Sequence, residues 1–226
     1  MLNLKNLKKE FNGRSILDIK EFTFKKGNIY ALVGPNGCGK STLLRIIGGL
    51  DSGYLGSIDY EGLGIEKYKS KLSYVHQKPY MFNFTVKKNI EMSGEIDKKS
   101  NINIEELIEV FGIRGILDLN AKRISGGEAQ KVSFIRALHQ QSEILLLDEA
   151  TSNMDSDSCR IFEEILLKNK QDKVIIIVTH NIFQALRIGD YLVGFDNGSL
   201  SQSLKAEALK RDSIKTLLEF TGNVNI

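Results

Sequence analysis

The sequence is poor in several things that would sort it quickly into a class. Only two of its 226 residues are cysteine, Cys38 and Cys159. Two thiols make no disulfide framework, and their spacing does not suit a metal site. Reduced thiols in a cytosolic compartment are the simple expectation. Net charge is scarce at +3. A dedicated nucleic-acid binder needs a strongly basic face, so that class is disfavoured. Long apolar runs are missing too. The longest are short, such as VIIIV at 174–178, whereas a helix that crosses a bilayer needs about 20 apolar residues. The opening MLNLKNLKKEF lacks the apolar block of a signal peptide. A membrane role is therefore expected through a partner. Internal repeats and low-complexity segments are lacking as well. What remains is an ordinary soluble composition, on a chain long enough for one large domain.

The apolar pattern then changes along the chain. Leu2 and Leu4, Leu17 and Ile19, Phe22 and Phe24 alternate with polar residues, which predicts half-buried antiparallel strands. NIYALVG at 28–34 is apolar without alternation, as are EILLLDEA and KVIIIVTH. Such strands are buried on both faces. STLLRIIGGL predicts a helix ending at Gly48-Gly49. LSYVHQ at 72–77 predicts a short strand, and 85–118 a helical stretch with Ile104, Leu107, Ile108 and Phe111 on one face. Val132, Ile135 and Leu138 repeat that spacing, as do Ile161, Phe162, Ile165 and Leu166. YLVGFDNGSL predicts a hairpin turning at Asp196-Asn197-Gly198. Ser203 to Phe220 reads as an amphipathic helix. Buried strands alternating with helices imply a mainly parallel α/β core.

GPNGCGKST lies between a buried strand and a helix. It fits the phosphate-loop pattern G-x-x-x-x-G-K-[ST] in full. The loop comprises Gly34, Pro35, Asn36, Gly37, Cys38, Gly39, Lys40, Ser41 and Thr42. Its glycines let successive backbone N–H groups wrap a polyphosphate, and the helix start adds partial positive charge. Lys40 is expected on the β- and γ-phosphates and Ser41 on Mg²⁺. Cys38 fills a variable position. A purely structural glycine turn is the bland alternative.

ILLLDEAT ends a buried strand with Asp148 and Glu149. Asp148 suits a Mg²⁺-holding carboxylate and Glu149 a group that polarises the attacking water. An acidic helix cap is the alternative. His180 directly follows VIIIVT, where it can touch a γ-phosphate or fix the water; taken alone, a histidine there is more often a helix cap or a structural donor. Gln77 ends LSYVHQ, where its amide oxygen can reach Mg²⁺ or water. Phe11 can stack on a base or fill the core. His76 and His139 have no such setting. The lysine runs KNLKK, KYKSK and VKKN read as solvated faces.

The order of these features is the telling point. A phosphate loop is followed by Gln77, ISGGEAQ, ILLLDEAT, SNMD and His180. In this it resembles the nucleotide-binding subunit of an ABC transporter, through to about residue 200. The resemblance implies a P-loop NTPase core with an antiparallel β-subdomain and an inserted helical subdomain. Residues 1–76 and 137–200 would form the core with its β-subdomain, 77–136 the helical part, and 201–226 a tail. It implies an ATP-driven, head-to-tail pair of cassettes. Ser125, Gly126, Gly127 and Glu128 would then meet the ATP held by the other chain. Asp155 would link the two sites, Gln77 would sense Mg²⁺ and the permease, and His180 would be the switch histidine. Phe11 stands where an adenine-stacking tyrosine is common. Ile124, Glu128, Lys131 and Ala150 also depart from the usual pattern. Glu128 puts the ribose contact in doubt, but no group needed for hydrolysis is lost.

The expected function is ATP hydrolysis, with Mg²⁺, driving a separate permease on the inner face of the cell membrane. ISGGEAQKVSFIRAL and THNIFQALRIGDYLVGF look most like small oxyanion importers, which also work with a substrate-binding protein. QKPYMFNFTVKKNI and DEATSNMD are similar to exporters. An iron–sulfur cluster assembly ATPase and a regulatory nucleotide binder without turnover are the non-transport alternatives.

Overall fold

A computed structural model describes residues 1–92 and 103–205. Ten strands and seven helices are defined there: β1 (Leu2–Phe11), β2 (Arg14–Phe24), β3 (Asn28–Val33), α1 (Lys40–Ile47), β4 (Leu55–Tyr60), β5 (Leu63–Gly64), α2 (Ile65–Tyr68), β6 (Leu72–Val75), α3 (Val86–Glu91), α4 (Ile104–Val110), α5 (Gly126–His139), β7 (Ile144–Asp148), α6 (Ser156–Lys168), β8 (Val174–Val178), α7 (Ile182–Ile188), β9 (Tyr191–Asp196) and β10 (Ser199–Lys205).

The alternating strands form an antiparallel sheet in the order β2-β1-β4-β5. Leu2, Leu4, Leu7, Leu17, Ile19 and Phe24 turn to its covered face. The second sheet runs β10-β9-β3-β8-β7-β6. Its five strands from β9 to β6 are parallel, and β10 is antiparallel to β9. The unbroken apolar runs now have a cause. Ile29, Ala31 and Val33 face the core under α3 to α7. Tyr30 and Leu32 face the core shared with α1 and the antiparallel sheet. Both faces exclude water, so neither tolerates a polar row. The two hairpins β1–β2 and β9–β10 turn on Asn12-Gly13 and Asn197-Gly198, with positive φ at all four residues. That is the backbone a two-residue hairpin needs.

Some expectations need correction. LSYVHQ is strand only to Val75, so His76 and Gln77 lie beyond its end. The helical stretch 85–118 is broken: α3 and α4 are separate short helices, and Arg114–Ile116 is a single 3₁₀ turn. Ser203–Lys205 are strand, paired to Tyr191–Val193, not the start of a helix; the rest of that expected helix lies outside the described residues. The lysine runs are not wholly solvated either. Lys9 pairs with Asp51 at 2.7 Å, and Lys71 with Glu143 at 2.6 Å.

Glu143 joins the two sheets. Its carboxylate accepts from Lys26 Nζ at 2.6 Å, Tyr60 OH at 2.8 Å and Lys71 Nζ at 2.6 Å. Partial burial pushes its pKa up, but bonds from Lys26, Lys71 and Tyr60 outweigh that and bring it down to about 2. A depressed carboxylate stabilises the fold above its ordinary pKa of 4.5 and stops doing so as pH falls toward 2. Glu143→Gln should cost roughly 2 kcal/mol at neutral pH after allowing for solvent screening. Urea midpoints of the variant and wild type should differ at pH 7, and the gap should shrink by more than half at about pH 3.

Candidate active site

Parallel pairing sets the site's position. Leu32 of β3, Val178 of β8 and Asp148 of β7 lie in one row, and Val75 of β6 pairs with Leu147 beside them. All four strands therefore end on the same edge, where open α/β sheets hold ligands. The loop 34–39 leaves β3, Glu149 leaves β7, Thr179-His180 leave β8, and Gln77 follows β6.

Gly34 has to be glycine, because a Cβ there would come within 2.0 Å of the Phe195 carbonyl oxygen on β9. The loop delivers the chain into α1. Unlike α5 and α6, α1 has no side-chain cap and no acid in its first turn. Its first N–H groups and the helix dipole are left for an anion. Lys40 is 5% exposed. Its ammonium donates to the carbonyls of Gly34 at 2.8 Å and Pro35 at 2.7 Å, with the Cys38 thiol at 3.6 Å. A nearly buried cation that rests on its own loop carbonyls suits exchange onto phosphate oxygens. Asn36, Gly37, Gly39, Lys40, Ser41 and Thr42 share a cleft of about 140 Å³ with Glu149 and His180.

Two acidic groups face the loop in different ways. Asp148 accepts from Ser41 Oγ at 2.8 Å and from Tyr74 OH at 3.0 Å. Burial, and then Asp148 itself, hold the Tyr74 phenol protonated far above its usual range, so Tyr74 is a fixed donor to Asp148. Glu149 has φ of 48°. Its carboxylate accepts from Gln77 Nε2 at 2.6 Å on one oxygen and meets His180 Nε2 at 2.6 Å on the other. Gln77 thus reaches the site through Glu149, by its amide nitrogen. His180 is nearly half exposed; Glu149 is 17% exposed. Thr179, just before His180, donates to Gln184 Oε1 at 2.9 Å.

Other expected residues lie elsewhere. Phe11 ends β1 and is 65% exposed, so it is no core residue. His76 stacks on Tyr74 with ring centroids 4.2 Å apart. Ser125, Gly126, Gly127, Glu128 and Asp155 do not line the cleft that holds Lys40. Ser125 caps α5, and Glu128 Oε2 accepts from the Ser125 N–H at 2.7 Å, completing a capping box. Glu128 therefore already has a local task. Asp155 caps α6 through Ser158 and pairs with Lys131 at 3.2 Å. Sequence reasoning gave no role to Tyr74, to Gln130 or to Gln184. Tyr74 was hidden because a tyrosine in a strand reads as packing.

The family model described as ABC transporter matches residues 17–152. The chain belongs to the ABC transporter family. It is an ABC ATPase, hydrolysing ATP for transport. It is 33% identical over 208 residues to the tungstate uptake system ATP-binding protein TupC of Peptoclostridium acidaminophilum, covering 89% of this chain and 97% of that one. It is 34% identical to the phosphate import ATP-binding protein PstB 2 of Lactiplantibacillus plantarum, covering 88% of each. Among solved structures, an ATP-binding subunit of an ABC transporter superposes with a TM-score of 0.82 at 24% identity, over 99% of this chain and 95% of that one. A bacterial ABC transporter cassette solved as a dimer gives 0.79 at 22% identity, over 92% and 100%. The structural likenesses show the fold of an ABC cassette.

The capping box gives a prediction for this cassette. Bonds to the Ser125 side chain, then its backbone, hold the Glu128 pKa below the carboxylate range. Glu128→Ala should cost about 1 kcal/mol, and Glu128→Gln much less, since an amide can close the same box. The Ala deficit should shrink as pH falls below the ordinary glutamate value of 4.5 and the depressed wild-type carboxylate takes up its proton. Urea denaturation at pH 7 and pH 3.5 checks both statements.

Proposed function

We propose that this cassette pairs head-to-tail with a second cassette around two ATP and drives import through a separate membrane permease. Residues 1–76 and 137–200 would serve as its core, 77–136 as its helical subdomain and 201–226 as its tail. The observation that carries the reading is a divided site. The phosphate loop, Asp148, Glu149 and His180 meet on one sheet edge, while Ser125–Glu128 lie away from that cleft. A turn of the second chain would then close over the phosphates. Among the described residues no helix is long and apolar enough to cross a membrane, so attachment to the membrane's inner face would come through the permease. The names of relatives, tungstate uptake and phosphate import, support import of a small oxyanion delivered by a substrate-binding protein.

The mechanism follows from the charges. Lys40 gives up the carbonyls of Gly34 and Pro35 for the β- and γ-phosphate oxygens, where its charge is better used. Phe11, exposed at the end of β1, offers its ring to the adenine. The hard oxygens of Ser41 and Asp148, 2.8 Å apart, suit Mg²⁺, and the amide oxygen of Gln77 would join them once that side chain turns from Glu149. Bound there, Mg²⁺ would neutralise charge on the phosphates. Glu149 takes a proton from the attacking water as its oxygen bonds to the γ-phosphorus and the bond to ADP breaks. Both Glu149 oxygens are engaged by Gln77 and His180, and each keeps a second lone pair, so the carboxylate can take the proton without either side chain first letting go. His180 keeps the carboxylate aimed. Loss of the γ-phosphate removes what the partner's Ser125 and Gly127 hold, and the pair separates.

Glu149→Gln should bind ATP, form a stable pair seen by light scattering, and release phosphate at least ~100-fold more slowly. A variant that stays monomeric with ATP would overturn the head-to-tail pair. Lys40→Ala should abolish Mg²⁺-dependent phosphate release. Uptake into proteoliposomes made with the co-purifying permease should require ATP enclosed inside, on the cassette's side, because an importer moves solute toward its cassettes; ATP-driven transport away from the cassette's side would make this an exporter.

A further inference from the structure

Gln130 lies in the ISGGEAQ stretch, on α5, and no step above uses it. It is fully buried. A buried amide must place all its polar atoms, and the partners here are informative. Its Nε2 donates to Ser152 Oγ at 2.9 Å, to the Gln77 carbonyl at 3.3 Å and to the Glu149 carbonyl at 3.4 Å. Its Oε1 accepts from the Asn153 N–H at 2.8 Å. Gln77 and Glu149 are also the pair whose side chains meet at 2.6 Å. One amide therefore holds the backbones of the residue that carries the hydrolytic carboxylate and the residue that occupies it.

The same amide reaches the other half of the site. Asn153 belongs to the SNMD segment. One helical turn before Gln130, a Cβ on Gly127 would stand 2.6 Å from the Asn153 carbonyl oxygen. Glycine at 127 is thus demanded by this chain's own backbone, apart from any nucleotide. One residue after Gln130, Lys131 pairs with Asp155. The first turns of α5 and the segment 152–155 are clamped together at three consecutive points, with Gln130 in the middle.

We propose that Gln130 is a positioning residue: it sets Glu149 and Gln77 in register with the turn and the SNMD segment that this chain offers to its partner. The inference rests on the ATPase reading and deepens it. Each of the four bonds comes from a different residue on one of three segments, so a shift of any segment strains the same amide. An apolar side chain of equal size would fill the space but leave the Asn153 N–H without its acceptor and the Gln77 carbonyl without its donor, while the Glu149 carbonyl would keep only the Ser152 N–H at 3.1 Å. The phosphate loop would be untouched, because Gln130 makes no bond to residues 34–42.

The test is steady-state Mg²⁺-dependent phosphate release at saturating cassette concentration, with ATP affinity measured separately. Wild type and Lys40→Ala are run beside Gln130→Met and Ser152→Ala. Gln130→Met should lose at least ~30-fold in kcat, with KM and the Kd for ATP within about threefold of wild type. Ser152→Ala removes only the shortest of the donated bonds, from an exposed position, and should fold normally. It should lose about 3- to 10-fold in kcat with KM unchanged. Wild-type kcat in Ser152→Ala would overturn the inference, as would a loss in Gln130→Met that falls on KM and Kd instead of kcat. If Gln130→Met does not fold, Ser152→Ala decides alone. Wild type no faster than Lys40→Ala would overturn the ATPase reading, and the inference with it.

Discussion

The bond between Ser41 Oγ and Asp148, 2.8 Å long, joins residues 107 positions apart, and it exists because β3 and β7 run parallel with β8 between them. An antiparallel strand at either place would send one of these groups to the opposite edge of the sheet. Parallel neighbours need crossover connections, and the helices of those crossovers cover the sheet's faces. That cover excludes water from every strand residue between Ile29 and Val33, and from β7 and β8 in full. Burial and site assembly are one constraint. The edge that gathers Lys40, Asp148, Glu149 and His180 is the edge where chains must leave a sheet whose faces are already occupied.

Charge at that edge is held in a waiting arrangement. Lys40 rests on backbone carbonyls, and Glu149 rests between Gln77 and His180. Neither pairs with the other. Each contact is one that a polyphosphate or a water can replace, since carbonyls and an amide are weaker partners than phosphate oxygens for the same groups. Tyr74 and Ser41 together satisfy Asp148 without neutralising it. The site therefore keeps a buried cation and two carboxylates apart with the help of Ser41, Tyr74, Gln77 and the loop carbonyls, none of which carries a charge.

The strands and the phosphate loop were legible because their signals are local. Strand burial on two faces requires an unbroken apolar run, and a backbone that wraps phosphate requires glycines at fixed spacing. The helix α7 was legible in retrospect, from Asn181 as a cap and Ile182, Ala185 and Ile188 at helical spacing, but it is only seven residues long. The end of LSYVHQ was misread because β6 is held by one neighbour, β7, and ends where that pairing ends, at Val75. The expected helix from Ser203 failed at its start for a related reason. The turn at Asn197-Gly198 sends the chain back along β9, and pairing with that strand outweighs an amphipathic pattern.

The sequence by itself determined the chemistry on offer: a phosphate loop, an Asp-Glu pair after a buried strand, a histidine after another, and a serine-glycine turn in between. Those groups follow from residue type and from their position at strand ends, so spacing suffices to see them. Only the tertiary structure decided how they are tied together. That Gln77 and His180 share Glu149, that Tyr74 serves Asp148, and that Gln130 spans three segments depend on which strand lies beside which. Hydrogen bonds between side chains far apart in sequence leave no period and no motif. They appear only when the sheet order brings their partners within three ångströms or so of each other.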